Sequence, residues 1–492
     1  MLGRSLLVLV GIVMVLVLLA VALPPATAPL PDAARDARID NVRIVDVEAG
    51  TVSAPTSLTI RKGRISAIGA PASADRGLAR VDAGGRFLTP GLWDMHVHSF
   101  QSSPQLHFPL ALANGVTSMR DMMDCPQPSD SLIACHEDKR RWNAAIERGG
   151  MSAPRIASVA SFYFDRPAMS PTEAVERARE YRARGLRSLK VYNRIEPATY
   201  RALAAEARAS GMGLVGHLPT KVRLDEAAKA GQSSFEHAHL LVRECSGDVD
   251  AWRAGKLASD DPTQAVERWV ATADPRRCAD AVATLRASGA AFVPTHVTRE
   301  EDARADDPTF VGDARLDFLD PLSRWAYRDD LGATANRYGG DRGRNALRAY
   351  FDRGLRLTGE AHRAGVPVLV GTDTAIGGFR YHDELRHLAK AGLSNAAILR
   401  AATIDAARFA GQGSDAGSIA LGKRADFVLL DEDPLVDIRH STSIRAVWLG
   451  GRHYDRALLD DLLDFTWWQA RNPLTTIRLL LGFARSSVAS EL

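Results

Sequence analysis

Two histidines stand two residues apart in the run WDMHVH, His96 and His98. On a strand, alternation points both imidazoles to one face, the geometry of two ligands on one metal ion. A His-x-His pair alone is a weak signal, since chance supplies such pairs in a chain of 492 residues. Four later apolar runs each end in another titratable or metal-binding group: Lys190 in SLKVY, His217 in LVGHLP, His237 in SFEHAH and Asp373 in VLVGTDT. Imidazole and carboxylate oxygen are borderline-hard ligands, so the set predicts a binuclear divalent site with zinc as the expected metal. An ammonium at Lys190 conflicts with this, because two dications would expel it. Lys190 is then either deprotonated or converted by carbon dioxide into a carbamate whose two oxygens bridge the metals, and the carbamate is the reading adopted. Asp373 would bind one metal and act as general base towards the bridging water, whose pKa the metals lower towards neutrality.

These groups meet only if their strands are arranged around one mouth. Over residues 91–413, about eight short apolar runs (LWDMHVH, TSMRDM, RIASVASF, SLKVYN, GLVGHLP, SSFEHAH, AFVPTHV and VPVLVGTD) are mostly separated by helix-like stretches. That count and alternation predict an α/β chain folded as a (β/α)8 TIM-type barrel, whose C-terminal strand ends share the face where such barrels carry out chemistry. PTEAVERAREYRARG and ATYRALAAEARASG place apolar residues at helical spacing, start after Ser, Thr or Pro and stop at Gly, as outer helices do. The connections after His239 and Thr298 are too long for simple returns and are expected to form lids or walls over a substrate. Alternating Val/Ile and Gly-rich turns over 38–90 and again over 414–455 predict one small β-sandwich built from both ends of the chain.

The composition, 46% hydrophobic and 25% charged, is that of a folded globular protein. Lys+Arg 62 against Asp+Glu 59 leaves a net charge of only +3, and no basic stretch interleaved with aromatics stands out, so nucleic acid is not an expected partner. Residues 1–28 hold an apolar stretch from Ser5 to Leu23 and are expected to form an N-terminal hydrophobic helix, either a cleaved signal peptide or an uncleaved membrane anchor, with the anchor preferred for its length. Arg4 favours an N-inside orientation, which Arg35 and Arg38 weaken. Both alternatives export the remainder, making it periplasmic or membrane-anchored facing away from the cytoplasm. Cys125 and Cys135 share one predicted loop and Cys245 and Cys278 share one insertion, so two local disulfides and four free thiols both fit. The tail, 456–492, reads as helical and either lies on a membrane surface or docks on the protein body. The oligomeric state is open, a homo-oligomer included.

Together, WDMHVH, GVTSMRDM, the strand-end Lys190, GHLP, FEHAH, GTDT and the closing GSIALGKRADFVLLDEDP resemble the metal-dependent amidohydrolase superfamily over about residues 40–455. Within it, the order of motifs and the lysine resemble the imidazolonepropionase-like branch that contains prolidase-type dipeptidases. The resemblance implies His96 and His98 on a first metal, His217 and His237 on a second, a carboxylated Lys190 bridging them, and Asp373 as ligand and general base. Imidazolonepropionases proper lack the bridging lysine, which turns the expectation towards a small-molecule amide or peptide substrate such as a dipeptide or N-acyl amino acid, attacked by a metal-bridging hydroxide. An esterase or lactonase on the same site, or a non-catalytic scaffold, is the alternative. A cationic residue near the mouth, for a substrate carboxylate, would favour the dipeptidase. Tyr192 and His296 are further catalytic candidates, each weighed against a packing role. His239 is expected as a rim histidine, Arg120 in a structural ion pair with Asp121, and His382 as an exposed loop residue.

Overall fold

The computed structural model describes residues 2–69, 77–257 and 261–490, without the side chains of 2–4, 6–9 and 489–490. Leu92–Val97, Val116–Asp121 and Arg155–Val159 form one parallel sheet, and Ser188–Val191, Gly213–Gly216, Gln232–Glu236 and Ala291–Val293 form another. Parallel bridges Ala160↔Ser188 and Phe164↔Val191 connect the two. These strands are buried on both faces, which is why they read as short continuous apolar runs. VPVLVGTD, expected as an eighth strand, is an extended segment with no regular ladder. One bridge, Phe292↔Val368, ties it to the preceding strand. Two hydrogen bonds, Met95 N to Val370 O and Asp373 N to His96 O, both 2.8 Å, tie it to the first. Its end leaves strand geometry because Asp373 takes a left-handed backbone, φ 51°. Gly371 is pressed so close that an added Cβ would lie 2.6 Å from Val293 Cγ1 and 2.9 Å from His96 Cβ.

The outer helices carry the local signals the sequence shows. Pro171–Ala183 has Pro at its start and is capped by Ser170, whose hydroxyl accepts from Glu173 N. Pro197–Ser210 ends at Gly211 in the left-handed region, φ 68°, where a side chain would be strained. Burial of Tyr200, Leu203, Ala204 and Ala207 on one face of this helix fixes it to the sheet.

Both chain ends contribute to one sheet, in the order Arg452–Tyr454, Ile444–Leu449, Phe427–Leu430, Phe87–Pro90, Ala37–Asp46, Thr56–Arg61, Arg64–Ile68. Phe427–Leu430 runs antiparallel to Phe87–Pro90, so residues more than 330 apart in sequence are neighbours. The register of Ala37–Asp46 breaks between Ile39 and Val42, around Asn41 at φ 51°. Inward residues of both ends, among them Ile39, Leu58, Leu88, Phe427 and Trp448, make a separate hydrophobic cluster.

The N-terminal helix spans Leu2–Ala22 and meets the C-terminal helix Pro473–Arg485 through Arg478, which donates to Ala20 O (2.9 Å) and Leu23 O (2.8 Å). Among the described residues no helix is long and apolar enough to cross a membrane. The expected anchor falls partly on side chains outside that description, Arg4 included. Of the two positions open to the tail, the structure has it docked on the body: Leu459 and Leu462 of the Arg456–Arg471 helix are fully buried. Cys125 pairs with Cys135 and Cys245 with Cys278.

Candidate metal centre

His96, His98 and Asp373 bring their ligand atoms to within 4.8 Å of one another. His98 Nε2 lies 3.0 Å and His96 Nε2 3.6 Å from Asp373 Oδ1. Beside them, His217 Nε2 and His237 Nε2 face each other at 3.0 Å. Lys190, 2% exposed, stands within electrostatic reach of His98, His217 and Asp373. The structure thus brings together all the groups that the strand-end pattern singles out as ligands.

Three of the four rings, those of His96, His217 and His237, are turned by their other nitrogen. His96 Nδ1 bonds Glu236 Oε2 at 3.1 Å. Glu236 also accepts both 3.0 Å bonds of the Arg120 guanidinium and one from Ser234 Oγ. Burial would raise the Glu236 carboxyl, but Arg120, followed by His96 and Ser234, holds it down at about 2. A carboxylate can only accept, so His96 carries its proton on Nδ1 and presents a lone pair at Nε2. His217 Nδ1 likewise donates to Asn193 Oδ1 at 3.0 Å, and His237 Nδ1 bonds Thr295 Oγ1 at 2.7 Å. His96 Nε2 is buried with no hydrogen-bond partner, which fits an atom meant for a metal ion.

The electrostatics favour neutral rings at His98 and His237 and an ionised Asp373. Burial, reinforced by Lys190, lowers His98 to about 4, and burial lowers His237 to about 3, so both are neutral imidazoles near pH 7. Burial also pushes the Lys190 ammonium down, against the opposing pull of Asp373 and Glu236. Burial would raise the Asp373 carboxyl, yet His96, His98 and His237 hold it well below the usual carboxylate range. His237, Thr295 and Asp373 all have left-handed backbones, φ 73°, 45° and 51°. Such conformations cost about 1–3 kcal/mol each and persist where the surrounding contacts impose them. At His237 the turn breaks strand alternation, which lets Glu236 and His237 both reach the site.

Tyr192 lies with its ring 3.9 Å from that of His217 and lines the same cavity as His98, Lys190 and Asp373. His296 stands apart: its Nε2 bonds Thr358 Oγ1 at 3.1 Å and its ring meets Phe351 and His387. The strand ends at Val293, and the turn at Thr295 sends His296 into the helix His296–Ala303, so Thr295 is the residue that reaches the candidate ligands, through His237. His239 is half-buried and stacks on His237, 5.5 Å between centroids. Arg120 pairs with Glu236 rather than Asp121, which instead takes Lys139 Nζ at 2.9 Å. Adjacent strand residues point to opposite faces, so Arg120 and Asp121 are poorly placed to pair. His382 is buried, not exposed, joining Ser441 Oγ (2.9 Å) and Asn114 O (3.1 Å). The supporting residues Glu236, Asn193 and Thr295 escaped the sequence reading; the only local signal was their position beside or just beyond a ligand-bearing strand.

Two predictions arise here. Arg120→Met leaves Glu236 as a buried charge with too few partners and is expected to cost about 3–5 kcal/mol, read from the urea midpoint. A shift below about 1 kcal/mol would mean that Glu236 is compensated otherwise. The second concerns Glu384, which accepts from Val297 N at 2.9 Å. Burial, opposed by the His296 and Val297 N–H groups, raises its carboxyl from 4.5 to about 8. A raised folded-state pKa means stability that is fully present below 4.5 and is lost as the pH rises through 8. Glu384→Gln is therefore expected to flatten the fall in Tm between pH 5 and 8, and an equally steep fall in the variant would exclude Glu384 as its source.

Residues 87–453 match the amidohydrolase family, and the chain belongs to it. Members of this family generally use divalent metals. The chain is 33% identical over 110 residues to the ochratoxinase of Aspergillus niger, covering 22% of this chain and 23% of that one. It is 45% identical over 65 residues to an adenine deaminase of Mesorhizobium japonicum, 13% and 11% of the two chains. The chain therefore spans less than a quarter of the length of these curated relatives. Among solved structures it is similar to a bottromycin amidohydrolase (TM-score 0.68, 23% identity, covering 90% of this chain and 92% of that one). It is also similar to a Xaa-Pro dipeptidase with methionine bound in its active site (TM-score 0.58, 18% identity, 85% and 100%). The family and these likenesses make the α/β arrangement a TIM-barrel type.

Proposed function

We propose that this enzyme hydrolyses an amide or peptide bond of a small molecule in the cavity lined by His98, Lys190, Tyr192 and Asp373. The carrying observation is that three of the six candidate ligands open into one cavity of about 590 Å³, a size suited to a small organic substrate. Two divalent ions, expected to be zinc, held by His96, His98, His217, His237, Asp373 and a carbamylated Lys190, would supply Lewis acidity and an acidified water. Asp373 accepts the water's proton and passes it to the leaving nitrogen. Tyr192 presents its hydroxyl to the same cavity as a donor for the developing oxyanion. Glu236 and Asn193 hold His96 and His217 in ligating tautomers and Thr295 orients His237, so little reorganisation of these rings accompanies reaction.

The test is amine release by the full chain, loaded with zinc in bicarbonate, from dipeptides including Xaa-Pro, from N-acyl amino acids and from simple amides, with esters and lactones alongside. Amine release that a chelator abolishes and zinc restores supports the proposal. Ester or lactone hydrolysis alone, or metal-independent turnover, overturns it. We also propose that the chain works outside the cytoplasm, supported by the apolar segment near its start and by its two disulfides. Thiol counting under denaturation should then find no free thiol in protein taken from the exported fraction; four free thiols would refute the placement.

A further inference from the structure

The cavity is lined by two kinds of side chain: the candidate site residues His98, Lys190, Tyr192 and Asp373, and a larger set of mostly apolar groups that includes Leu106, Phe108, Met119, Met123, Leu479 and Phe483. Leu106, Phe108 and Met119 are almost completely buried, whereas Phe483 is 38% exposed, so the apolar lining of this chamber runs from the interior to the surface. Among its described lining residues there is no arginine, and the lysine there is Lys190 itself. Arg299, which acts electrostatically on Tyr192 and His237, lies outside this lining. A carboxylate placed against the apolar side chains would find no cation among them, and burying it unpaired would be costly.

Leu479 and Phe483 come from Pro473–Arg485, which lies beyond residue 453, where the match to the family ends. This helix is fastened over the chamber. Ser131 Oγ donates to Gly482 O at 2.8 Å, and Ser486 Oγ donates to Asp130 at 2.8 Å. Gly482 approaches so closely that a Cβ there would lie 2.6 Å from Ser131 O. Part of the apolar lining is thus supplied by this chain's own tail.

We infer that the C-terminal helix is a specificity element and that the substrate is an amide bearing an extended alkyl group with no carboxylate on it, its carbonyl beside the candidate ligands and its alkyl chain against Leu479 and Phe483. The assignment rests on the amide-hydrolase reading for the bond that is cleaved, but its apolar half is tested by binding alone. Calorimetric titration of the zinc-loaded full chain with butanamide, hexanamide and octanamide should show affinity rising about fourfold per added methylene, the equivalent of about 0.8 kcal/mol per buried CH₂. Leu479→Lys should weaken octanamide at least tenfold and leave butanamide within twofold. Phe483→Ala, a milder change at a partly exposed position, should reduce the slope in the same direction. A flat series, an unchanged slope in both variants, or alanyl-proline binding more tightly than octanamide would overturn the inference. Ammonia release measured on the same amides separates the two readings. A steep binding series without turnover upholds the chamber and refutes amide hydrolysis, whereas turnover with no dependence on chain length does the reverse.

Discussion

Asp373→Asn is expected to lower kcat by about 10²–10⁴-fold, the usual contribution of a positioned general base, while the enzyme stays folded. Asparagine keeps the shape of the side chain and tolerates the left-handed backbone that Asp373 adopts at φ 51°. What it loses is the negative charge. Asp373 Oδ1 lies 3.0 Å from His98 Nε2, and surrounding imidazoles hold the carboxyl ionised, so at neutral pH it stands ready to accept a proton. The amide of asparagine accepts no proton at that pH. The measurement is kcat on the best substrate of the panel, with metal content determined on the same samples, because Asp373 is also a candidate ligand. A loss below tenfold at full metal occupancy would place the base elsewhere.

Replacing His96 and His98 together with alanine is expected to remove at least one bound metal equivalent per chain, and activity with it. The two rings supply two of the three ligand atoms gathered within 4.8 Å, and the remaining carboxylate alone makes a weak site. Folding should survive, since Glu236 keeps its two hydrogen bonds from Arg120 when His96 is gone. Elemental analysis after dialysis reads the metal, and circular dichroism reads the fold. Full occupancy in a folded double variant would refute this part of the site. Together with the effect of Asp373→Asn, the result separates holding the metal from moving the proton.

Much of the site is legible locally. The His96-x-His98 spacing places two rings on one strand face, and Lys190, His217 and His237 follow apolar runs that the structure shows as parallel strands or their ends. Ser170 and Gly211 mark helix boundaries because capping and left-handed turns depend on the residues at that point of the chain. The small β layer was visible as two alternating segments, and a hydrophobic alternation specifies which face each strand buries.

What local pattern cannot carry is the identity of distant partners and the places where the chain leaves its regular period. Arg120 meets Glu236, 116 residues away, because two parallel strands put their inward residues in one layer. The turns at His237, Thr295 and Asp373 take left-handed backbone that none of these residue types demands, and tertiary contacts impose it. One of those turns sends His296 away and brings Thr295 in. The sequence by itself determined which side chains stand ready as ligands and which segments bear them, through alternation, helical spacing and capping, all short-range effects. Only the tertiary structure decided how the rings are oriented, and that the helix Pro473–Arg485 lines the cavity beside the candidate ligands, because those outcomes depend on packing between segments far apart in sequence.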